Sequence, residues 1–180
     1  MRPLELLRDL VYFIDSQKDQ LKNIFTEELL DNVISYKLLD NITSLSLDEI
    51  KEYFVNNKIN IQAQDECGIG FIQHALHNPN FKEVIPYLIK QGANIDQQNN
   101  YGYTALHSAA SRSPYNFIEC IDKMKVLLDN GASRNIENSR GEQPQNMQYV
   151  SQEAKDFLIS YQVSSNQDSI ALGKHNEYAQ

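Results

Sequence analysis

Cysteine is scarce in this chain, with only Cys67 and Cys120 among 180 residues. A disulfide-stapled secreted scaffold is thereby excluded, and the pair reads as two reduced thiols. No apolar run approaches the roughly 20 residues that cross a bilayer. Met1-Arg2-Pro3-Leu4-Glu5 shows neither the basic region nor the cleavage site of a secretory signal. These absences predict a cytoplasmic protein that does not engage a membrane. Basic charge is short as well: 16 Lys and Arg stand against 24 Asp and Glu, a net charge of −8 with no Lys/Arg cluster. Such a surface repels phosphate backbones, which excludes nucleic acid as a ligand. Glycine and proline number only 7 and 5, and together with the abundance of Asn and Gln they point to an AT-rich bacterial source.

Chemical machinery is missing too. No phosphate-cradling glycine loop, HExxH, GxSxG or clustered cysteine pair occurs. The acidic pairs Glu27-Glu28 and Asp48-Glu49 fall at predicted helix starts, where they complement the helix dipole. His74 and His77, three residues apart, could face the same way as Cys67, but no fourth ligand accompanies them at a recognised spacing. No catalytic residue, no metal ligand and no cofactor is therefore predicted. An enzyme would need a deep pocket with perturbed ionisable groups, and nothing in the sequence leads to one.

What is present is a register of glycines. Gly92 to Gly102 and Gly131 to Gly141 are both ten residues apart, and Gly68 to Gly102 is thirty-four. Gly92-Ala93 and Gly131-Ala132 each close a helical stretch, while Gly68, Gly102 and Gly141 mark turns. Between them lies Tyr101-Gly102-Tyr103-Thr104-Ala105-Leu106-His107-Ser108-Ala109-Ala110, followed later by Leu127-Leu128-Asp129-Asn130-Gly131-Ala132. This run resembles one ankyrin repeat. The resemblance implies a hairpin tip, a short inner helix, a longer outer helix and a glycine stop. It makes His107 a structural residue that bridges hairpin and helix. The fold expected is an all-α ankyrin-repeat solenoid with a helical N-terminal cap.

Three segments follow: a helical region over 1–57, repeats over 58–162, and a tail over 163–180 that lacks periodicity and is rich in polar residues. Leu4, Leu7, Val11 and Ile14 share one helical face, and Leu21, Ile24 and Phe25 continue at helical spacing, with Ser16 as the second helix's cap. Leu29, Leu30, Val33, Ile34 and Leu38 make a third amphipathic stretch capped by Thr26. Ser46-Leu47-Asp48-Glu49 is a capping box opening a fourth helix, with Leu47, Ile50 and Phe54 inward. Lys58 precedes Gly68 by ten residues, so residues 27–57 read as a degenerate first repeat, as terminal repeats tend to be.

The repeat from Asn60 to Gln91 departs from the family pattern. Gly70-Phe71-Ile72-Gln73-His74-Ala75-Leu76 replaces the usual Thr-Pro-Leu-His-x-Ala-Ala, so hairpin-to-helix hydrogen bonds are expected to be lost. Packing of Ile72, Ala75, Val84, Leu88 and Ile89 should carry more of the load. Pro86 is expected near the first turn of the outer helix. About five extra residues fall within Ser113–Cys120 and are expected in the inter-helix loop. The last unit, Asn138–Met147, is polar and reads as a C-terminal cap, with Ala154, Phe157, Leu158 and Tyr161 as the inward stripe of its outer helix.

Family members meet partner proteins on the concave face of tips and inner helices. Carried onto this chain, the resemblance implies partner-binding positions at Cys67, Tyr101 and Arg140, at Ile69, Tyr103 and Glu142, and at His77, Asn78, Ser111 and Arg112. Tyr101, Tyr103, Arg112 and Arg140 are the expected anchors, because such side chains lose little entropy on burial. Tyr115 and Phe117 form a second candidate patch. The chain is expected to be a monomer when free, acting as an effector in a host cytoplasm or as a toxin-neutralising immunity protein. Residues 25–45 carry a further likeness: Phe25-Thr26-Glu27-Glu28-Leu29-Leu30 followed by Val33-Ile34 resembles the opening of an F-box. That resemblance implies an adaptor for the Skp1–cullin ubiquitin ligase, with Phe25, Leu29, Leu30, Val33 and Ile34 facing Skp1.

Overall fold

A computed structural model describes residues 26–111 and 117–161. Expectations for residues 1–25, 112–116 and the tail, including Phe25, Arg112, Tyr115 and the caps and faces assigned before Thr26, lie outside the described residues. Those residues form seven α-helices, one 3-10 turn and no strand.

Helix α1 spans Glu27–Asn41 and α2 spans Leu47–Asn56. Both begin where side-chain caps dictate. Thr26 accepts from the backbone N–H of Leu29, and Ser46 and Glu49 form a complete capping box. The two hydrogen bonds from Ser46 hold the Glu49 carboxyl below its ordinary value. Leu30, Val33, Ile34 and Leu38 are buried on α1, together with Leu39 and Ile42. Leu29 was assigned to that face but is 44% exposed.

The repeats proper pair a short inner helix with a longer outer one: α3 (Phe71–Ala75) with α4 (Phe81–Lys90), then α5 (Ala105–Ser111) with α6 (Phe117–Asp129). The last unit replaces its inner helix by a 3-10 turn, Pro144–Asn146, and ends in α7 (Gln152–Ser160). Inner elements α1, α3, α5 and the 3-10 turn touch in series, as do the outer helices α4, α6 and α7. Helix α2 falls in the outer-helix register, since Leu47 precedes Phe81 by the same thirty-four residues that separate Asn56 from Lys90. The rings of Phe54 and Tyr87 meet edge to face at 5.6 Å, joining α2 to α4.

One continuous core runs through the stack, from Leu38 and Ile50 through Phe71, Ile85 and Leu88 to Leu106, Met124 and Leu158. Each unit buries its apolar stripe only against its neighbours, so burial and stacking are one event. Asn78, 2% exposed, fastens the first junction. Its Nδ2 donates to the carbonyls of Ile42 at 2.6 Å and Leu45 at 2.8 Å, and its Oδ1 accepts from the N–H of Asn80 at 2.7 Å. It was assigned to the contact surface, but this burial makes it a structural residue. Asn78→Ala is expected to cost about 2 kcal/mol, because three backbone groups lose their partner. Thermal melts of the two proteins would measure it.

Three expectations need correction. Pro86 is the sixth residue of α4, beyond its first turn, where it forgoes the bond to the Lys82 carbonyl. The extra residues do not all enter a loop: Phe117–Cys120 are the first turn of α6, and Cys120 is buried. Hydrogen bonding is not lost in the second unit either. Gln73 stands where His107 does and donates its Nε2 to the Tyr103 carbonyl at 2.5 Å, as His107 reaches that of Glu142 at 3.0 Å. His74 meanwhile bridges hairpin and helix through Asp65 Oδ2 at 3.0 Å, which leaves no zinc-like trio with His77 and Cys67.

The C-terminal end is closed by polar side chains. Arg134 Nη1 donates to the carbonyls of Leu158 at 2.6 Å and Tyr161 at 3.3 Å, satisfying the end of α7. Tyr161 donates its hydroxyl to Asp129. Burial and that carboxylate push the phenol up to about 12.

Candidate partner-binding surface

Three tips follow one design. In each, the first residue's side-chain oxygen accepts from the backbone N–H groups two and four residues on. Asp65 serves Cys67 and Ile69 at 2.8 and 2.9 Å, Asn99 serves Tyr101 and Tyr103 at 3.0 Å each, and Asn138 serves Arg140 and Glu142 at 2.8 and 3.1 Å. Short Asx side chains favour such turns because they replace a backbone acceptor locally. The fourth residue of each tip is a glycine at positive φ.

Neighbouring tips are locked to one another. Asn100 N–H donates to the Cys67 carbonyl and Ser139 N–H to the Tyr101 carbonyl, both at 3.0 Å. Amide side chains reinforce the junctions: Gln64 Nε2 reaches the Gln98 carbonyl at 3.0 Å, Gln98 Nε2 the Glu137 carbonyl at 2.9 Å, and Asn100 Nδ2 the Glu66 carbonyl at 2.9 Å. The row of tips is therefore rigid before any partner arrives, which lowers the ordering entropy of binding.

On this row the second and third residue of every tip are exposed: Glu66 and Cys67, Asn100 and Tyr101, Ser139 and Arg140. Tyr101 stands out at 65% exposure. Glu66, Tyr101 and Arg140 make no side-chain hydrogen bond or ion pair among the described residues. Ile69, Tyr103 and Glu142 are half-buried. Tyr103 packs on the core and meets the His107 ring edge to face at 5.5 Å, so part of its area is already committed. Glu142 is held by Asn138 Nδ2 at 3.0 Å.

The remaining assigned positions scatter. His77 is exposed just past the end of α3, Ser111 closes α5, and Phe117 opens α6. The F-box-like set is not a free surface, since Leu30, Val33 and Ile34 are buried inside the protein and only Leu29 of the described members is exposed. Among the described residues no group of three His, Cys, Asp or Glu could hold a metal, and no helix is long and apolar enough to cross a membrane. Glu66, Asn100 and Ser139, which flank the anchors on the tips, were missed by the sequence reading. The signal was available, because they share one register two residues before each tip glycine.

His107 is engaged on both ring nitrogens. Nδ1 accepts from Thr104 N–H at 3.1 Å and lies 2.9 Å from its hydroxyl, so Nε2 carries the proton given to the Glu142 carbonyl. Burial holds this imidazole below its ordinary pKa, against the upward pull of Glu142.

A family model for ankyrin repeats, in three copies, matches residues 43–138. Two proteins of Acanthamoeba polyphaga mimivirus that bear ankyrin-repeat names are similar to this chain. One is 30% identical over 108 residues, covering 59% of this chain and 25% of that protein. The other is 43% identical over 60 residues, covering 33% of this chain and 10% of its own length. The chain thus spans at most a quarter of either relative.

Proposed function

Because this chain belongs to the ankyrin-repeat family, we propose that it is a non-catalytic module that binds another protein through its row of hairpin tips. The observation that carries this reading is Tyr101: a large aromatic ring, 65% exposed, on a tip hydrogen-bonded to both neighbouring tips. Rigid exposed aromatics of this kind supply binding energy at low entropic cost. Arg140 on the next tip and Cys67 on the preceding one extend the contact. Tyr103, Ile69 and His77 border it. Catalysis finds no support either, since His107, the one fully buried histidine among the described residues, spends both nitrogens on structure.

The setting proposed is intracellular binding and inhibition of a partner, as an effector or an immunity factor would require. Both relatives are viral, which lends the bacterial source inferred from composition no support. The Skp1-adaptor reading has no observation in its favour, because three of its candidate contacts are buried.

A photo-crosslinking residue placed at position 101 tests the proposal. It is expected to capture one dominant partner from lysate of the source cell or its host. The same residue at Tyr149, which is 70% exposed and belongs to the segment between the 3-10 turn and α7 and not to a tip, should capture none in common. Equal capture at both positions, or none at 101, would reject the tip surface.

A further inference from the structure

The three tips differ in charge along the row. Glu66 stands on the first, Tyr101 on the second and Arg140 on the third, and all three are exposed. None has a side-chain hydrogen bond or ion pair among the described residues. Elsewhere the described charges are often spoken for: Lys51 by Asp48, Lys82 by Asp122 and Lys123 by Glu119. An uncommitted carboxylate and an uncommitted guanidinium, separated by an uncommitted ring, make an ordered row: acid, aromatic, base.

The spacing of that row follows from the hydrogen bonds between tips. A backbone bond places the Cα atoms of Cys67 and Asn100 about 5 Å apart, and one peptide unit to Tyr101 adds about 3.8 Å. The same construction carries Tyr101 through Ser139 to Arg140. The step from Tyr101 to Arg140 is therefore at most about 9 Å, close to three residues of extended chain at about 3.3 Å each, while Glu66, one further peptide unit before Cys67, lies at most about 13 Å from Tyr101, a span of three to four such residues.

We propose that the tips receive an extended peptide segment of the partner in which an apolar residue is flanked by an acidic residue three positions to one side and a basic residue three or four positions to the other. The basic residue meets Glu66, the apolar one Tyr101, and the acidic one Arg140. This rests on the tips being the contact surface. It adds the chemistry and polarity of what they contact. The Arg140 end is the more selective, because the guanidinium presents a fork to a carboxylate. The protein's net charge of −8 speeds the approach of the basic end.

Selection of random twelve-residue peptides on the full chain and on its Tyr101→Ala and Arg140→Glu variants tests the idea, with each variant's melting temperature checked against the parent. Wild-type selection is expected to enrich an apolar residue with Asp or Glu three positions to one side and Lys or Arg three or four to the other. Reversing the acidic end should weaken a chosen peptide about three- to fivefold, as one exposed ion pair does. Arg140→Glu should exchange the acidic preference for a basic one, and Tyr101→Ala should weaken binding tenfold or more. Peptides that depend on Tyr101 but show no charge order, or the same order on Arg140→Glu, would overturn the polarity while leaving the tips as the binding surface. Peptides indifferent to Tyr101→Ala would overturn both.

Discussion

Gly102→Ala is expected to destabilise the protein by about 3–5 kcal/mol, whereas Gly131→Ala costs only about 1–2 kcal/mol. Both glycines have positive φ, +75° and +91°, where a Cβ presses on the following carbonyl. Their surroundings separate them. A Cβ at Gly131 meets nothing within 4 Å, but at Gly102 it would lie 2.6 Å from the backbone nitrogen of Ser139 and 2.9 Å from the carbonyl carbon of Asn138. Those atoms belong to the next tip, and Ser139 N–H is the donor that locks it to Tyr101. Main chain cannot swing aside as a side chain can, so the substitution strains one tip and pushes two apart. Gly141 supplies the control: its φ is +73° and its nearest contact is Glu137 Oε2 at 4.0 Å, so it should behave as Gly131 does. Urea unfolding midpoints of the three variants decide the matter. Equal losses at Gly102 and Gly141 would mean that the tips are not rigidly stacked.

The same contrast shows what was legible in the sequence. Glycine register alone located every tip and both helix stops, because only positive φ forces that residue and its period is the repeat itself. Caps were equally readable, since Thr26 and the Ser46–Glu49 box act within four residues. Interactions closed over longer distances were hidden. Gln73 looked like a loss because the family places histidine there, yet its amide reaches a carbonyl thirty residues away. Only the stacked neighbour reveals that the reach is right. The extra residues before Cys120 were misplaced for a different reason. Cys120, Met124, Leu127 and Leu128 recur at i, i+4, i+7 and i+8 and are all buried, a helical stripe that was present but masked by attention to repeat length.

For the candidate surface, register found Tyr101 and Arg140 but could not say which tip side chains remain free. Tyr103 looks equivalent to Tyr101 on paper. One position beyond the glycine, however, its ring packs on His107 and the core, while two positions earlier the ring of Tyr101 stands in solvent. In a strand, residues two apart would share a face, but the positive-φ turn at Gly102 lies between these two, and the tip's Asx bonds hold that turn.

His107→Ala is expected to cost about 3–4 kcal/mol, and His107→Gln only about 1 kcal/mol. Alanine leaves a fully buried cavity and strips a partner from Thr104 N–H, from its hydroxyl and from the Glu142 carbonyl. Glutamine can restore the inter-unit bond to the Glu142 carbonyl, because Gln73 already makes the equivalent bond one repeat earlier. There the Gln73 Oε1 is buried without a partner, since Gly70 offers no hydroxyl. At position 107 the same oxygen would face Thr104. The pair also carries a pH signature. The folded-state pKa of His107 is lowered by burial, so below about pH 6.5 the unfolded chain takes up a proton that the native imidazole refuses. Protons then favour unfolding, and stability falls as pH drops from 7 toward 5. Nδ1 gives the molecular reason, since it accepts from Thr104 and cannot take a proton without turning a donor onto a donor. His107→Gln removes this contribution, so its stability should change less than wild type over that interval. Denaturation midpoints at pH 7 and pH 5 measure the difference; parallel losses in both proteins would show that His107 is not the group that titrates.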